Sequence, residues 1–199
     1  MSKMQIREKC SVNVDRKRPM ADKLPLRGHF HVEQYRDGKM IREESFENGM
    51  TIEGKNFLFN VMFHGTTAAP TWYIGLIDLT GYTALDETDT YDDINQAGNG
   101  WDEDGDYTDA NNGDSAVTRP EWEEDAASAK AITNTTTSIY DITVNGTIKG
   151  VFVVGLGAAA RTKLDHAADG ILWSTALFSS GDVAVVIGDQ LKITYTVSC

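Results

Sequence analysis

Clustered carboxylates are the side chains of this sequence whose spacing most resembles a chemical site. Asp102, Asp104 and Asp106 alternate along a short acidic run, and Ca²⁺ is held by clustered oxygen ligands of this kind. An EF-hand loop starting at Asp102 is excluded, because Tyr107 and Gly113 stand where that motif needs glycine and glutamate. The run therefore predicts either a calcium site of another type or a solvated acidic loop.

Two of the four histidines are close in sequence. His29 and His31 lie two residues apart in a predicted strand, so their side chains project from the same face. A protein zinc site has three or four protein ligands, and the spacing identifies no third ligand here. The sequence therefore predicts no metal site at these histidines.

A glycine-rich segment, residues 155–160, has the spacing of a dinucleotide-binding loop, and Asp182 follows at about the 20 residues that the motif requires. That loop binds a dinucleotide only within repeated βαβ units. Only 17 residues follow Asp182, and their pattern is typical of strands and turns. The segment is therefore predicted to be a loop between strands, with no cofactor.

Catalytic motifs are also missing from the sequence. It contains no Gly-x-Ser-x-Gly elbow, no phosphate-binding P-loop and no His-Glu-x-x-His zinc motif. Cys10 and Cys199 have neither a second cysteine nor a histidine at ligand spacing, so free thiols in a reducing compartment are expected. The chain is therefore predicted not to be an enzyme.

Charge is distributed unevenly along the chain, whose net charge is −12. Residues 78–125 hold sixteen acidic residues and one basic residue, Arg119, whereas residues 1–28 hold eight basic and three acidic residues. The acidic body would repel nucleic acid, so no direct nucleic-acid partner is expected. Neither a membrane-spanning apolar run nor a signal peptide is evident, so we expect synthesis in a cytoplasm and no membrane partner.

Residues 1–28 are predicted to form an extended basic arm. Pro19 and Pro25 disfavour a helix there, and the one strand expected is a short one at residues 10–14. Such a segment cannot bury enough apolar surface to order itself, so we expect it to bind neighbouring subunits. The basic residues predicted to contact acidic groups of a partner are Lys3, Arg7, Lys9, Arg16, Lys17 and Arg18.

Residues 29–199 are predicted to form one all-β domain, mainly an antiparallel β-sandwich of the jelly-roll or immunoglobulin-like kind. The Asp37-Gly38 pair between two extended runs predicts a hairpin. Thr51 is a suitable N-cap for one short helix, which Gly65 ends. Further strands are predicted at residues 71–77, 138–144, 147–154, 170–178, 183–187 and 190–197.

The acidic segment at residues 78–125 reads as an insertion into this domain. It is far longer than an ordinary loop, so it is either a functional excursion or a partly ordered surface lobe. Its aromatic residues, Trp101, Tyr107 and Trp122, suit either a carbohydrate-binding face or anchors that fasten the loop to its own domain. Outside the insertion, Trp72 and Trp173 are expected to be buried in the sandwich.

Several segments, taken in order, resemble a group of small virion structural proteins from tailed bacteriophages. The resemblance covers most of residues 29–197, with the acidic insertion as a variable part. The segments are residues 35–39 (YRDGK), 48–49 (NG) with 53–56 (EGKN), 71–77 (TWYIGLI), 172–178 (LWSTALF) and 188–195 (GDQLKITY).

This resemblance implies a capsid decoration (cement) protein of the virion, made in the host cytoplasm. Such a protein would bind the major capsid protein and copies of itself, as a homo-oligomer on the particle. The resemblance alternatively implies a tail, adaptor or fibre module that binds a host surface glycan. It supplies no catalytic residues.

Overall fold

The computed structural model describes residues 25–96, 98–164, 166 and 170–199. Within these residues the chain forms strands β1 to β13, one α-helix and three short 3-10 helices. The strands are β1 (Arg27–Arg36), β2 (Lys39–Glu47), β3 (Gly49–Met50), β4 (Trp72–Asp78), β5 (Glu103–Asp104), β6 (Tyr107–Asp109), β7 (Glu123–Glu124), β8 (Ala131–Thr136), β9 (Ser138–Ile142), β10 (Gly146–Gly155), β11 (Ile171–Leu177), β12 (Val183–Val185) and β13 (Gln190–Ser198). Helix α1 is Ile52–Phe63, and the 3-10 helices are Tyr91–Asp93, Ala110–Asn112 and Ala159–Arg161.

The strands form two sheets. The first has the order β2-β1-β13-β8-β7, and β9 and β6 extend it because β9 pairs with β13 and β6 pairs with β9. The second has the order β3-β11-β10-β4-β5, with β12 paired to β10. All pairings between these strands are antiparallel. The prediction of an all-β, mainly antiparallel sandwich with one short helix is confirmed.

The main core lies between the two sheets. In β1 and β13 buried and more exposed residues alternate, which places Phe30 and Leu191 inward and leaves the opposite face to solvent. In β4 and β10, by contrast, successive residues such as Val153 and Val154 are all buried. The second sheet is therefore covered on both faces, whereas the outer face of the first sheet is open.

The acidic segment at residues 78–125 supplies the cover of the second sheet. Its residues Tyr91, Ile94 and Trp101 pack with Phe152 and Val154 in a second core cluster. It also contributes β5 to the second sheet and β6 to the first. The segment is thus built into the fold, which corrects the expectation of a partly ordered surface lobe; a functional role of the segment stays a prediction. Sequence patterns do not reveal this role, because the large apolar residues that pack against the second sheet are too widely spaced to form a periodic pattern.

Residues with turn and capping conformations determine where the β1–β2 hairpin turns and where helix α1 begins and ends. Asp37 and Gly38 have φ values of 50° and 72°, the left-handed conformation that joins β1 to β2 as predicted. The Thr51 side chain accepts a hydrogen bond of 3.0 Å from the backbone N–H of Gly54, which confirms the predicted N-cap. Gly65, with φ of 74°, follows the last turn of α1.

Three details of the fold differ from the sequence-based expectation. Strand β1 begins at Arg27, inside the predicted arm of residues 1–28. Val144, the last residue of the strand predicted at residues 138–144, lies beyond the end of β9 and is 45% exposed. Strand β8 was not predicted, because its sequence is largely polar and it is only half-buried. The turn at residues 145–146 links β9 in the first sheet to β10 in the second, so it carries the chain between sheets.

Candidate functional site

A buried ion pair joins the acidic segment to the loop that follows β10. The Arg119 Nε and Nη2 atoms each donate a 2.7 Å hydrogen bond to the Glu103 carboxylate, and both side chains are fully buried. Glu103 also accepts from the backbone N–H of Leu164 at 2.8 Å, and its Oε2 lies 3.2 Å from His166 Nε2. Arg119 donates to the carbonyl of Ala160 at 2.7 Å. The pair therefore fastens three separate parts of the chain together.

The electrostatics of this pair favour the charged forms of both partners. Burial alone would raise the pKa of Glu103, but attraction to Arg119 and the hydrogen bonds from His166 and Leu164 hold that pKa below its ordinary value. Burial would likewise lower the pKa of Arg119, but Glu103 raises it. The Arg119 guanidinium also lies 5.6 Å from the ring centroid of Phe152. A buried charge pair whose hydrogen bonds are satisfied in this way holds the surrounding structure together.

Lys163 makes a second connection to the acidic segment. Its ammonium donates to the carbonyls of Gly105, at 2.8 Å, and Tyr107, and it lies 4.1 Å from the ring centroid of Tyr107. Burial lowers the pKa of Lys163, although Glu103 and the nearby aspartates oppose the shift. Lys163 therefore closes the turn between β5 and β6.

The three candidate calcium ligands lie in or beside β5, in different environments. Asp104 is buried and its Oδ1 accepts from the backbone N–H of Asp106 at 2.7 Å, while Asp102 is half-buried and Asp106 exposed. Among the described residues, they are not among the groups whose carboxylate or imidazole atoms approach one another closely enough to share an ion. The structure therefore does not bring the three carboxylates together as a ligand set, and calcium binding here stays a prediction.

The pKa of Asp104 nevertheless departs from its ordinary value. Burial raises its pKa to about 6, and the neighbouring charges of Asp78 and Asp106 add to the shift. A carboxylate whose charged form is disfavoured in this way either carries a proton near pH 6 or benefits from a bound cation.

The aromatic residues of the acidic segment act as anchors. Trp101, Tyr107 and Trp122 are exposed by 1%, 1% and 5%, so they do not form an exposed carbohydrate-binding platform. The indole N–H of Trp101 donates to Asp89 at 2.8 Å, and that of Trp122 donates to the carbonyl of Tyr195 at 2.9 Å. Of the two readings that the sequence left open, the structure supports the anchor.

An apolar groove of about 280 Å³ runs between α1 and residues of both sheets. Trp173 on its floor is buried, as predicted, whereas Trp72 is only partly buried; the two rings make an edge contact at 5.6 Å. The residues that line the groove are Leu26, Phe57, Leu58, Val61, Ala68, Ala69, Trp72, Trp122, Ile132, Trp173 and Val197.

The outward face of α1 beside this groove is also apolar. Phe59, Met62 and Phe63 are exposed by 59%, 56% and 77%, and the two phenylalanine rings lie 6.3 Å apart. We call this surface, together with the groove, the helix surface. The sequence does not reveal this surface, because Met62 follows the same helical spacing as Phe57, Leu58 and Val61. In the structure Met62 is nevertheless exposed, together with Phe59 and Phe63.

The remaining sequence-based candidates fall into two groups. Residues 155–160 form the end of β10, a turn and part of a 3-10 helix, and no α-helix follows among the residues that the structure describes, so the prediction of a loop between strands is confirmed. The predicted partner-binding residues of the arm lie outside the described residues: Lys3, Arg7, Lys9, Arg16, Lys17 and Arg18.

Comparison with known proteins assigns this chain to no family. The chain matches no protein-family model, no curated protein and no solved structure. The class that the fold defines is therefore the all-β, antiparallel sandwich. Among the residues described, no helix is both long enough and apolar enough to cross a membrane.

Proposed function

We propose that this protein is a non-enzymatic structural component of a tailed-bacteriophage virion, and that it decorates the capsid. In this proposal it binds the major capsid protein and copies of itself, and it stabilises the lattice because a bound partner shifts the assembly equilibrium. The proposal starts from the resemblance of the sequence segments to small virion proteins. The helix surface is the observation that carries it.

The helix surface has the composition of a protein-binding face. Three large apolar side chains on α1 are more than half exposed, and other residues of the same helix, Phe57, Leu58 and Val61, line the apolar groove. Several large apolar side chains exposed together on one element are uncommon on a monomer and are typical of protein–protein contact. Leu26, close to the N-terminal end of the described chain, lines the same groove. A partner seated there would thus also meet the arm.

Two of the resemblance segments support each other in the fold. Arg36 of the YRDGK segment donates two 2.7 Å hydrogen bonds to Asp189 of the GDQLKITY segment. Asp189 also accepts from the Gln34 side chain at 2.9 Å and the Val186 N–H at 3.1 Å. These residues hold the hairpin to the start of β13. Their role is structural, which agrees with a resemblance that supplies no catalytic residues.

Occupancy on purified particles tests the proposal. Quantitative mass spectrometry would measure copies per particle in a strain that carries this coding sequence. For a decoration protein the copy number scales with the number of capsid subunits, whereas for a tail, adaptor or fibre module it matches the tail symmetry. The alternative of a glycan-binding tail module is kept because of the resemblance. Absence from particles would reject both.

A matched pair of variants tests the helix surface itself. Replacing Phe59 and Phe63 by Ser should remove most of the binding to particles while leaving the melting temperature nearly unchanged, since both side chains face solvent. Replacing Met40 and Ile41 by Ser is the control, because these residues are 49% and 50% exposed on a different element, at the start of β2. If both variants lost binding to particles equally, the loss would reflect the removal of any exposed apolar side chain. The helix surface would then be rejected as the docking face.

A further inference from the structure

One histidine and two glutamates meet on the open face of the first sheet. His31 and Glu33 are two residues apart in β1, so both side chains project outward. Glu43 of β2 lies directly opposite Glu33 in the strand register and diagonally from His31. The His31 Nε2 atom is 3.6 Å from one oxygen of Glu33 and 3.6 Å from one oxygen of Glu43. The chain thus brings three ligand atoms within 4.8 Å of one another.

Neighbouring residues orient these ligand atoms. Ser45 Oγ lies 3.0 Å from His31 Nδ1, which turns Nε2 of the same ring towards the two carboxylates. The Tyr35 hydroxyl donates to Oε2 of Glu33 at 3.2 Å, and the other oxygen of Glu33 faces His31. Metal-binding histidines and carboxylates are commonly held by outer partners of this kind.

The charge balance of the cluster also favours a cation. Glu33 and Glu43 are a directly opposed pair of like charges, an arrangement that destabilises antiparallel strands. Lys192 faces Glu33 from β13, but its ammonium lies over the ring of Tyr35, 4.4 Å from the centroid. A divalent ion between the carboxylates would remove the repulsion and join β1 to β2.

We propose that His31, Glu33 and Glu43 bind a divalent transition-metal ion of the Zn²⁺ class. Ligand atoms about 2.0–2.1 Å from zinc at tetrahedral angles lie about 3.4 Å apart, close to the separations from Nε2 seen here. The imidazole nitrogen favours this class over Ca²⁺, which prefers oxygen ligands only. Three protein ligands leave a position open for water or for a group of another protein. The site does not depend on the proposed virion function.

Calorimetric titration of the full chain with Zn²⁺ tests the site. Cys10 and Cys199 are first replaced by Ser and any affinity tag is removed, so that other strong ligands are absent. We expect one ion per chain, a raised melting temperature with Zn²⁺, and a Co²⁺ spectrum typical of a nitrogen and oxygen ligand set. His31→Gln should abolish these effects, and Glu43→Gln should weaken binding at least about tenfold.

His29→Gln is the matched control, because His29 lies on the same face two residues away and is outside the cluster. It should bind Zn²⁺ as the parent does. The metal-free melting temperatures of all variants show whether each has folded, and that of Glu43→Gln should rise because one like charge is gone. No zinc binding by the folded parent, or binding that survives His31→Gln, would overturn the proposal. Equal loss in His29→Gln would overturn it as well.

Discussion

At the scale of single residues, the Arg119 side chain links the acidic segment to the loop that follows β10. It is the only basic residue among residues 78–125, and it is fully buried against Glu103. Removing one partner of such a pair leaves an uncompensated buried charge.

Arg119→Met should therefore lower the free energy of unfolding by about 3–5 kcal/mol, as measured by denaturant titration. The nearby Arg161→Met is the control, because Arg161 is exposed and its loss should cost little. A similar free energy of unfolding for the parent and Arg119→Met would mean that the pair contributes no more than an apolar contact.

Asp104 gives a second expectation at this scale, with a defined dependence on pH. Its pKa in the fold is about 6, above the unfolded value of 3.8, so the folded state holds the proton more tightly. Stability contributed by this group is therefore present at low pH and is lost as pH rises from about 4 to about 6. At pH 7 the cost is up to about 3 kcal/mol.

Asp104→Asn should raise the melting temperature at pH 7 in the presence of EDTA and have little effect below pH 4. The exposed Asp106→Asn should show a much smaller difference between the two pH values, because it removes only one of the neighbouring charges and leaves the buried carboxyl group in place. Excess Ca²⁺ separates the two readings of the acidic run: if these carboxylates bind calcium, Asp104→Asn becomes destabilising when calcium is added. If the melting temperature of Asp104→Asn in EDTA at pH 7 were lower than that of the parent, burial would not be disfavouring the charged form of Asp104.

At the scale of elements, α1 can pack against β11 only because residue 54 is glycine. A Cβ atom on Gly54 would lie 2.5 Å from the carbonyl oxygen of Trp173 and 2.9 Å from its Cα. The sequence alone suggests that this glycine merely weakens the helix, by about 1 kcal/mol relative to alanine. The close approach explains why the weaker helix former stands there.

Gly54→Ala should thus destabilise the protein by about 1–3 kcal/mol, against the direction of helix propensity. Asn56→Ala, at an exposed position of the same helix, is the control and should leave stability unchanged or raise it slightly. Thermal melts of the two variants decide the matter. A more stable Gly54→Ala variant would mean that the helix is free to move away from β11.

At the scale of the whole molecule, the arm and the body are expected to act together on a particle. Because β1 begins at Arg27, a truncation that tests the arm should remove residues 1–24 and keep the strand intact. Its melting temperature should be close to that of the full chain, while its occupancy on particles falls sharply, because the joined arm raises the effective concentration of the second contact.

A full-length variant separates charge from length in this experiment. It carries Gln in place of Lys3, Arg7, Lys9, Arg16, Lys17 and Arg18. If the basic residues make the contact, this variant should lose binding as the truncated chain does, and the parent should bind more weakly at high salt. Full occupancy of the truncated chain would reject the arm as a fastening element.

The sequence by itself determined the elements whose conformation depends on near neighbours. The Asp37-Gly38 hairpin, the Thr51 cap and the alternation in β13 were all predictable, because turn geometry, capping and side-chain direction are set within a few residues. The sandwich class followed from these patterns.

Only the tertiary structure decided which distant residues meet. Glu103 and Arg119 are separated by sixteen residues, and Glu103 and His166 by sixty-three, so no local pattern announces their contact. Glu43 likewise meets His31 and Glu33 through the register of β1 and β2. The two-residue spacing of His29 and His31 carries no information about that register. The acidic segment became part of the core for the same reason: burial is decided by what a residue packs against, and that partner lies elsewhere in the chain.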